Sequence, residues 1–232
     1  MSARTLVVIP AYNEAATIEQ VAIEAQRHAD VCVVDDGSTD ATPEILARLD
    51  GVHVIRHERN THIAGAILDG MRYADASGYD HVITMDAGMS HDPAAIPSFL
   101  ARREADLVIG CREHPENVPW YRRLLSRVAT FLLNLMVERR FVPWGGARLR
   151  DATSGYRMYS RAAVQLLLGA PLRSRAFDFH LEALCHVYRA GLVIAEIPIT
   201  YVFSNSSLRW KIVEEAARTC AHLWARPARR SR

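Results

Sequence analysis

Residues 5–14 read TLVVIPAYNE and residues 31–40 read VCVVDDGSTD. Each stretch is an apolar run rich in β-branched residues that changes abruptly into polar residues, as expected where a buried strand ends. Between them, residues 14–28 carry helix-forming residues with apolar positions near helical spacing. This order of strand, helix and strand predicts a βαβ unit with two parallel strands.

The same alternation continues along the chain. Further strands are predicted at residues 52–55, 81–85 and 107–109, with helices at 64–76 and 94–103 between them. Runs that are apolar on both faces indicate a mostly parallel sheet covered by helices on both sides. The predicted fold class is therefore a Rossmann-like α/β fold, which binds ligands beyond the carboxyl ends of its strands.

The second half of the chain has a different character. A long amphipathic stretch occupies residues 120–141 and a basic tail occupies residues 226–232. Further helices are predicted at 162–168, 179–190 and 208–224, and a strand at 192–199. No internal repeat or low-complexity linker interrupts these patterns, so we expect residues 1–225 to form one domain.

Composition restricts the class of protein. The chain has 232 residues, of which 50% are hydrophobic and 23% charged, a balance typical of one globular domain. Twenty-eight Lys and Arg residues against 26 Asp and Glu residues leave a formal charge of +2, whereas a nucleic-acid-binding domain carries a strong basic excess. Disorder, collagen-like repeats and a disulfide-stapled mini-protein are excluded, and we expect no nucleic acid among the partners.

Cysteine usage and the N-terminus predict a cytoplasmic protein. Cys32, Cys111, Cys185 and Cys220 lie far apart and lack metal-binding spacing, which favours reduced thiols. The N-terminal sequence MSARTLVVIP shows no signal-peptide pattern. The longest apolar stretch, residues 128–137, is shorter than the ~20 residues that a membrane-spanning helix needs.

Contact with a membrane surface is a separate expectation. Residues 120–141 combine apolar side chains with arginines and Trp120, the composition of a helix that lies at a membrane interface. Packing in the protein core explains the same residues equally well. The four arginines of the tail 226–232 either meet anionic headgroups or remain solvated. These features predict peripheral contact with the inner face of the membrane.

The first predicted strand ends in PAYNE at residues 10–14. Tyr12 and Glu14 put an aromatic ring and a carboxylate at the carboxyl end of that strand, where they could hold a nucleobase and a ribose. Asn and Glu also suit the start of a helix. Helix capping therefore explains Asn13 and Glu14 equally well.

The second predicted strand ends in DDGSTD at residues 35–40. Asp35 and Asp36 are adjacent acids that repel each other, which indicates that a ligand stabilises them. Carboxylates here can accept hydrogen bonds from a base or ribose, and Gly37 lets the backbone approach closely. Capping of the following helix is an alternative role for the next three residues, Ser38, Thr39 and Asp40.

Together, the PAYNE and DDGSTD segments resemble the inverting glycosyltransferases of family 2. The segment MDAGMSHDP at residues 85–93 is similar, more narrowly, to the polyprenol-phosphate (dolichol-phosphate) mannose synthases of that family. Further matches are VIGCR at 108–112, RRLLSR at 122–127, DATSGYR at 151–157 and EIPI at 196–199. The resemblance spans nearly the whole chain and implies a Rossmann-like fold of the glycosyltransferase A type.

The resemblance also implies an activity. A family member of this kind moves a hexose, with mannose as the first choice, from a nucleotide-diphosphate sugar to a polyprenyl phosphate with inversion. Residues 1–110 would form the nucleotide-binding half and residues 111–225 the acceptor-binding half. By position, the donor would be held by Pro10, Tyr12, Glu14, Asp36 and Asp86.

A metal ion is expected beside the donor. A departing diphosphate needs positive charge, normally Mg²⁺ or Mn²⁺ held by carboxylate and phosphate oxygens. The resemblance makes Asp86 the metal ligand, and Gly88 stands where the family's second acid is expected. Three arrangements stay open: Asp86 alone with the diphosphate, catalysis without a tightly held metal, or a substitute ligand from Ser90, His91 or Asp92.

The acceptor phosphate would be held, by resemblance, by Arg112, Arg123, Ser154 and Arg157. Arginine meets phosphate oxygens two at a time, although a surface salt bridge is an alternative role for each arginine. An acceptor that is already an anion needs little deprotonation, so alignment and electrostatics would carry the reaction. Asp151 would order its loop and the sugar hydroxyls. The candidate catalytic residues are Asp86, Arg112, Arg123 and Asp151.

Two other functions remain open. A family 2 enzyme of secondary metabolism would act on a soluble hydroxyl acceptor and would need a carboxylate base, for which the candidates are Asp151, Asp178 and Glu182. A non-catalytic relative would bind a nucleotide or a partner subunit. Gly88 favours it, as do His62 and Ala64, which stand where the family's glycine-rich segment usually has glycines. His62 is either a neutral filler or a cationic partner for phosphate.

Overall fold

The computed structural model describes residues 3–116, 130, 149–176 and 178–202. Its strands are β1 (Thr5–Ala11), β2 (Asp30–Asp35), β3 (Val52–Arg56), β4 (His81–Thr84), β5 (Leu107–Glu116), β6 (Arg157–Ser160) and β7 (Ile194–Val202). Its helices are α1 (Ile18–Gln26), α2 (Thr42–Leu46), α3 (His62–Ala76), α4 (Ile96–Leu100), α5 (Arg161–Gly169) and α6 (Asp178–Arg189).

The described strands form one seven-stranded sheet in the order β3-β2-β1-β4-β6-β5-β7. β1 pairs in parallel with β2 and β4, and β2 pairs in parallel with β3. β6 runs antiparallel to both of its neighbours, β4 and β5. Because parallel strands end at the same edge of a sheet, the loops that follow β1, β2, β3 and β4 meet there.

Successive residues of the central strands enter two different cores. Leu6 and Val8 pack in a core that includes residues of α3, α5 and α6. Val7 and Ile9 face the opposite side, where they pack in a core with residues of α1 and α4. These strands are thus buried on both faces, which explains why their sequences are continuously apolar rather than alternating.

The predicted Rossmann-like, mostly parallel sheet with helices on both faces is confirmed. The predicted strand at 107–109 continues to Glu116. The predicted helix at 94–103 is wrong in extent, because Pro93–Ala95 forms a short 3-10 turn and α4 ends at Leu100. Pro97 near the start of α4 favours a helix that begins at that point, since it needs no amide hydrogen bond there.

One strand is not predicted from the sequence, and several predicted segments lie outside the described residues. The sequence pattern does not predict β6, whose residues RMYS lack a continuous apolar run. The stretches 120–141, apart from Thr130, and 208–224 lie outside the described residues, as does the tail 226–232. The division into two functional halves stays a prediction. Among the described residues, no helix combines the length and the apolar composition needed to span a membrane.

Two non-glycine residues of the described ranges have positive φ angles, Asn13 at 58° and His62 at 65°. Asn visits this left-handed region readily because its short side chain bonds locally. For a histidine, the close approach of Cβ to the following carbonyl costs roughly 1 kcal/mol. The glycine that the family resemblance leads one to expect at position 62 would adopt this conformation without that clash.

We expect His62→Gly to raise the free energy of unfolding by about 0.5–1 kcal/mol, because removal of the Cβ relieves the left-handed strain. Urea denaturation at neutral pH measures the change. The matched control is Gly191→Ala, since Gly191 has a φ of +75° and open space around a built Cβ. The free energy of unfolding of that variant should fall by about 1 kcal/mol. A loss of stability in His62→Gly would contradict the argument from strain.

Candidate active site

Hydrogen bonds fix the loop after β1 to the loop after β2. The Asn13 N–H donates to Ser38 Oγ over 2.9 Å, and Asn13 Oδ1 accepts from the Thr39 N–H at 2.8 Å. The Glu14 N–H donates to Thr42 Oγ1 at 2.9 Å. The hydroxyl-bearing residues of the second loop therefore hold the two loops together, a role that neither the ligand hypothesis nor the capping hypothesis contains.

Capping accounts for Asp40 in part. Its Oδ1 accepts from the Thr42 N–H at 2.9 Å, at the start of α2. Its Oδ2 accepts from the Ala15 N–H at 3.2 Å and so reaches back to the first loop. The same carboxylate thus supports a helix start and the junction between the loops.

Glu14 lies close to the loop that follows β4. Burial raises the pKa of its carboxyl, against the hydrogen bond from Thr17 Oγ1 that lowers it, and the carboxylates of Asp86 and Asp40 raise this pKa further. The influence of Asp86 indicates that the loops after β1 and β4 converge, as the sequence predicts. Beside Glu14, Tyr12 is 48% exposed and presents its ring at this edge. Pro10 is half-buried near the end of β1 and pairs with Val34.

The adjacent acids Asp35 and Asp36 are both buried and both stabilised by the protein itself. Asp35 Oδ1 accepts the Ser38 N–H at 3.0 Å, and Asp35 Oδ2 lies 3.5 Å from Arg56 Nε. Asp36 Oδ1 accepts hydrogen bonds from the segment 57–61. Protein donors thus reach Oδ1 of each acid, whereas Asp35 Oδ2 is buried and accepts no hydrogen bond in the described part of the chain. A ligand that stabilises the pair further stays a prediction.

Asp86 follows β4, and its side chain is 37% exposed. Its backbone N–H donates to His91 Nδ1 at 3.1 Å, and that nitrogen lies 3.6 Å from Asp86 Oδ2. Burial lowers the pKa of His91, so at neutral pH the ring is neutral and Nδ1 can accept. The His91 ring stacks on Tyr156 with centroids 4.9 Å apart. His91 thus fixes the loop that carries Asp86.

The substitute metal ligands proposed from the sequence are largely engaged. His91 Nδ1 accepts from Asp86, and Asp92 Oδ1 accepts the Ala94 N–H at 2.9 Å. In the described part of the chain, no group of three or more His, Cys, Asp or Glu residues is arranged to hold a metal. A Cβ built on Gly88 meets no atom within 4 Å. Asp86 is therefore the side chain here best placed to meet a cation.

Arg112 on β5 forms a two-pronged ion pair with Asp151. Arg112 Nε lies 2.6 Å from Asp151 Oδ2 and Nη2 lies 2.7 Å from Oδ1, while Nη2 also donates to Thr153 Oγ1. The guanidinium carbon lies 5.3 Å from the centre of the Tyr201 ring. Asp151 thereby ties the loop after residue 150 to β5, which agrees with its expected ordering role.

Arg112 and Asp151 each stabilise the charged form of the other, and this effect outweighs that of burial. Burial lowers the pKa of Arg112, but Asp151 outweighs that effect and, with a smaller contribution from Asp86, raises it. Burial likewise raises the pKa of Asp151, and Arg112 outweighs it, so this pKa is lowered from 3.8. The ion pair therefore contributes its full stability to the fold at pH values above 3.8, the ordinary pKa of an aspartate. That contribution is lost as the pH falls through the lowered pKa of Asp151.

Arg157 and Ser154, two predicted ligands of the acceptor phosphate, are buried. Arg157 is 0% exposed, and its guanidinium donates to the carbonyl oxygens of Ser154, His180 and Ala152, each at 2.7 Å. Ser154 is 1% exposed. Both side chains are enclosed by the protein, and Arg157 holds the backbone of the loop before β6, so their contact with an acceptor phosphate stays a prediction.

The remaining candidates are placed as follows. Arg123 lies outside the described residues. Of the possible bases for a hydroxyl acceptor, Asp151 is paired with Arg112. Glu182 is 2% exposed and its Oε2 accepts two backbone N–H groups at 2.9 Å. Asp178 is 6% exposed and its Oδ1 accepts a backbone N–H at 2.9 Å.

No motif in the sequence singles out His57 and Thr61, yet both contact Asp36. They belong to the polar run HERNT at residues 57–61, directly after β3. The signal that could have identified them is their place at the carboxyl end of a parallel strand next to β2, where the same reasoning selected the residues after β1 and β2.

The Rossmann-like sheet and the acidic side chains at its carboxyl edge agree with the glycosyltransferase A type of fold that the resemblance implies. The sequence model described as "Glycosyl transferase family 2" matches residues 6–168. The chain belongs to glycosyltransferase family 2.

Curated relatives agree with the narrower resemblance. The chain is 33% identical to the undecaprenyl-phosphate mannosyltransferase of Micrococcus luteus, over 92% of this chain and 90% of that protein. It is 31% identical to the polyprenol monophosphomannose synthase of Mycolicibacterium smegmatis, over 85% of this chain and 77% of that protein. The predicted similarity to polyprenol-phosphate mannose synthases is confirmed.

A solved structure supports the fold. Glucosyl-3-phosphoglycerate synthase from Mycobacterium tuberculosis, in complex with Mn²⁺, UDP and glucosyl-3-phosphoglycerate, superimposes with a TM-score of 0.73 at 20% identity. The match covers 97% of this chain and 81% of that chain. The arrangement of the sheet and its helices is therefore that of a known glycosyltransferase.

We expect Arg157→Ala to lower the free energy of unfolding by about 3 kcal/mol or more, because it leaves buried carbonyl oxygens without donors and opens a cavity. Chemical denaturation checks this. The control Arg102→Ala removes an ion pair whose arginine side chain is 45% exposed, and should change stability by less than about 1 kcal/mol. Equal losses in the two variants would contradict a buried supporting role for Arg157.

Proposed function

We propose that this chain transfers a hexose, with mannose as the first choice, from a nucleotide-diphosphate sugar to a polyprenyl phosphate with inversion at the anomeric carbon. The observation that carries the proposal is a series of contacts between Arg112 and Asp86: the Arg112 guanidinium lies 5.3 Å from the centre of the Tyr201 ring, that ring lies 5.9 Å from the His91 ring, and His91 Nδ1 lies 3.6 Å from Asp86 Oδ2. In the proposal, Arg112 is the cation for the acceptor and Asp86 is a carboxylate of the donor site. The relatives named for undecaprenyl-phosphate and polyprenol-phosphate acceptors support the choice of acceptor.

The proposed reaction does not require a strong general base from the protein. A phosphate oxygen of the acceptor forms a bond to the anomeric carbon while the bond from that carbon to the nucleoside diphosphate breaks, and the diphosphate leaves with the electron pair. Because the attacking phosphate is already anionic, the protein must align it and offset its charge. Arg112 is suited to this role, since its orientation is fixed by Asp151 and Thr153.

Tyr12, Glu14, Asp36 and Asp86 form the donor side of the proposal. Mg²⁺ commonly binds through one or two carboxylates together with substrate phosphates, and the exposed carboxylate of Asp86 fits that pattern. When bound, such an ion offsets the charge that develops on the leaving diphosphate. The Mn²⁺ and UDP complex of the mycobacterial synthase supports this type of donor and ion.

A soluble hydroxyl acceptor is less well supported. The nucleophile would need a carboxylate base, yet the Arg112 ion pair keeps the pKa of Asp151 low and so makes it a weak base. Glu182 is committed to backbone N–H groups. Peripheral membrane contact remains part of the proposal through its lipid acceptor, and the segments predicted to make that contact lie outside the described residues.

We expect Gly88→Asp to bind Mn²⁺ about tenfold more tightly in the presence of UDP or GDP, because a second carboxylate enters open space beside Asp86. Titration calorimetry measures the affinity. The matched control is Gly169→Asp, which adds the same charge at the end of α5, where a built Cβ also meets no atom within 4 Å. Unchanged affinity in Gly88→Asp would place the cation away from Asp86.

A direct assay combines GDP- and UDP-sugars with a polyprenyl phosphate and Mg²⁺, Mn²⁺ or EDTA, with the product detected by mass spectrometry. We expect a hexosyl polyprenyl phosphate. Arg112→Lys should lower kcat/KM for the lipid phosphate by about 100-fold, because a lysine cannot keep the two-pronged pair with Asp151 that orients the cation. Arg102→Lys, which alters another short arginine–carboxylate pair, should match the wild type.

Glycosylation of a soluble alcohol without turnover of any lipid phosphate would overturn the proposed acceptor. Tight nucleotide binding without turnover on any acceptor, unimproved in Gly88→Asp, would instead favour a non-catalytic role. Thermal melts of both arginine variants separate a loss of phosphate recognition from a loss of folding.

A further inference from the structure

The segment 57–61 concentrates its donors on a single oxygen of Asp36. Asp36 Oδ1 lies 2.7 Å from His57 Nδ1, 2.7 Å from the Thr61 backbone nitrogen and 2.8 Å from Thr61 Oγ1. A carboxylate only accepts hydrogen bonds, so His57 Nδ1 carries a proton toward it. Within the described part of the chain, these three hydrogen bonds leave the second oxygen, Oδ2, without a protein donor.

A second carboxylate lies on the other side of the His57 ring. His57 Nε2 lies 3.0 Å from Asp69 Oδ2 on α3, and the His57 side chain is 11% exposed. Asp69 in turn pairs with Arg72 one helical turn further along. Nε2 makes no hydrogen bond to a described residue, so the Nδ1 hydrogen bond and the burial of the ring are what limit its rotation. A ring held in this way can resist rotation of the Asp36 side chain.

Two features at the start of α3, where this segment meets Asp36, reduce local stability. Thr61 precedes α3 at the position where a hydroxyl normally caps the helix, but it makes no capping hydrogen bond and donates to Asp36 instead. His62, the next residue, has a left-handed φ of 65°. Strained conformations of this kind persist where the surrounding structure holds them and are frequent at functional sites.

We propose that His57 is a positioning residue of the donor site, which acts by locking Oδ1 of Asp36 so that Oδ2 is aimed at the donor nucleotide. The inference rests on the proposed function, in which Asp36 binds that nucleotide. His57 itself does not touch the donor. Its effect is to pre-orient an acceptor, which lowers the cost of binding because the carboxylate no longer has to be ordered when the nucleotide arrives.

Two substitutions distinguish the nitrogens of the ring. The amide nitrogen of Asn can occupy the place of Nδ1, whereas the longer Gln carries its amide toward the place of Nε2. We expect His57→Gln to weaken binding of UDP or GDP, whichever the wild type binds more tightly, by about tenfold, consistent with loss of one hydrogen bond to a charged group. His57→Asn should bind within about threefold of the wild type.

A double-mutant cycle tests whether His57 acts through Asp36. In an Asp36→Asn background, His57→Gln should cause no further loss of nucleotide affinity. In steady-state assays, His57→Gln should raise KM for the donor and leave kcat and KM for the acceptor unchanged. The control His53→Gln alters an exposed histidine of β3 that stacks on Tyr73, and should bind like the wild type.

The outcomes distinguish a failure of the positioning role of His57 from a failure of the donor role of Asp36. If Asp36→Asn weakens nucleotide binding but His57→Gln does not, the positioning role is overturned and the donor site stands. Additive losses in the cycle, or equal losses in His57→Asn and His57→Gln with lowered melting temperatures, also overturn it. If Asp36→Asn binds the nucleotide as well as the wild type, the proposed donor role of Asp36 fails first.

Discussion

Parallel pairing of β1 with β2 on one side and β4 on the other is the constraint on which the site depends. It brings Glu14, Asp36 and Asp86 to one edge of the sheet, although they are far apart in the chain. The pairing is itself stabilised by apolar side chains on both faces of each strand, since burial of such surface is the main favourable term in folding. Burial of apolar side chains thus brings the polar residues of the site together.

That assembly concentrates negative charge, and the protein offsets most of it with its own donors. Asp35 accepts a hydrogen bond within its own loop, Asp36 accepts one from the segment after β3, and Asp40 accepts one from the loop after β1. Burial is the main cause of the raised pKa of Glu14, and the Asp86 carboxylate raises that pKa further. A nucleotide diphosphate with a divalent ion would bring both signs of charge to this edge, which suits a site that already holds unbalanced carboxylates.

The two described arginines of the second half show how one residue type serves two purposes. Arg112 is 23% exposed at its side chain and is oriented by a carboxylate. Arg157 is fully enclosed and donates only to backbone carbonyls in its described hydrogen bonds. Both belong to segments that resemble the family, so the resemblance alone could not tell a phosphate-binding arginine from a supporting one.

The sequence determined the order of strands and helices and the edge at which the site forms, because apolar runs and helical periodicity are local patterns. It also identified Tyr12, Glu14 and Asp86 as residues of that edge. Only the tertiary structure decided that Arg157 and Ser154 are buried, that β6 enters the sheet in the opposite direction, and that His57 clamps Asp36. The physical reason is that burial and hydrogen-bond partners arise between residues distant in the chain, which no local pattern records.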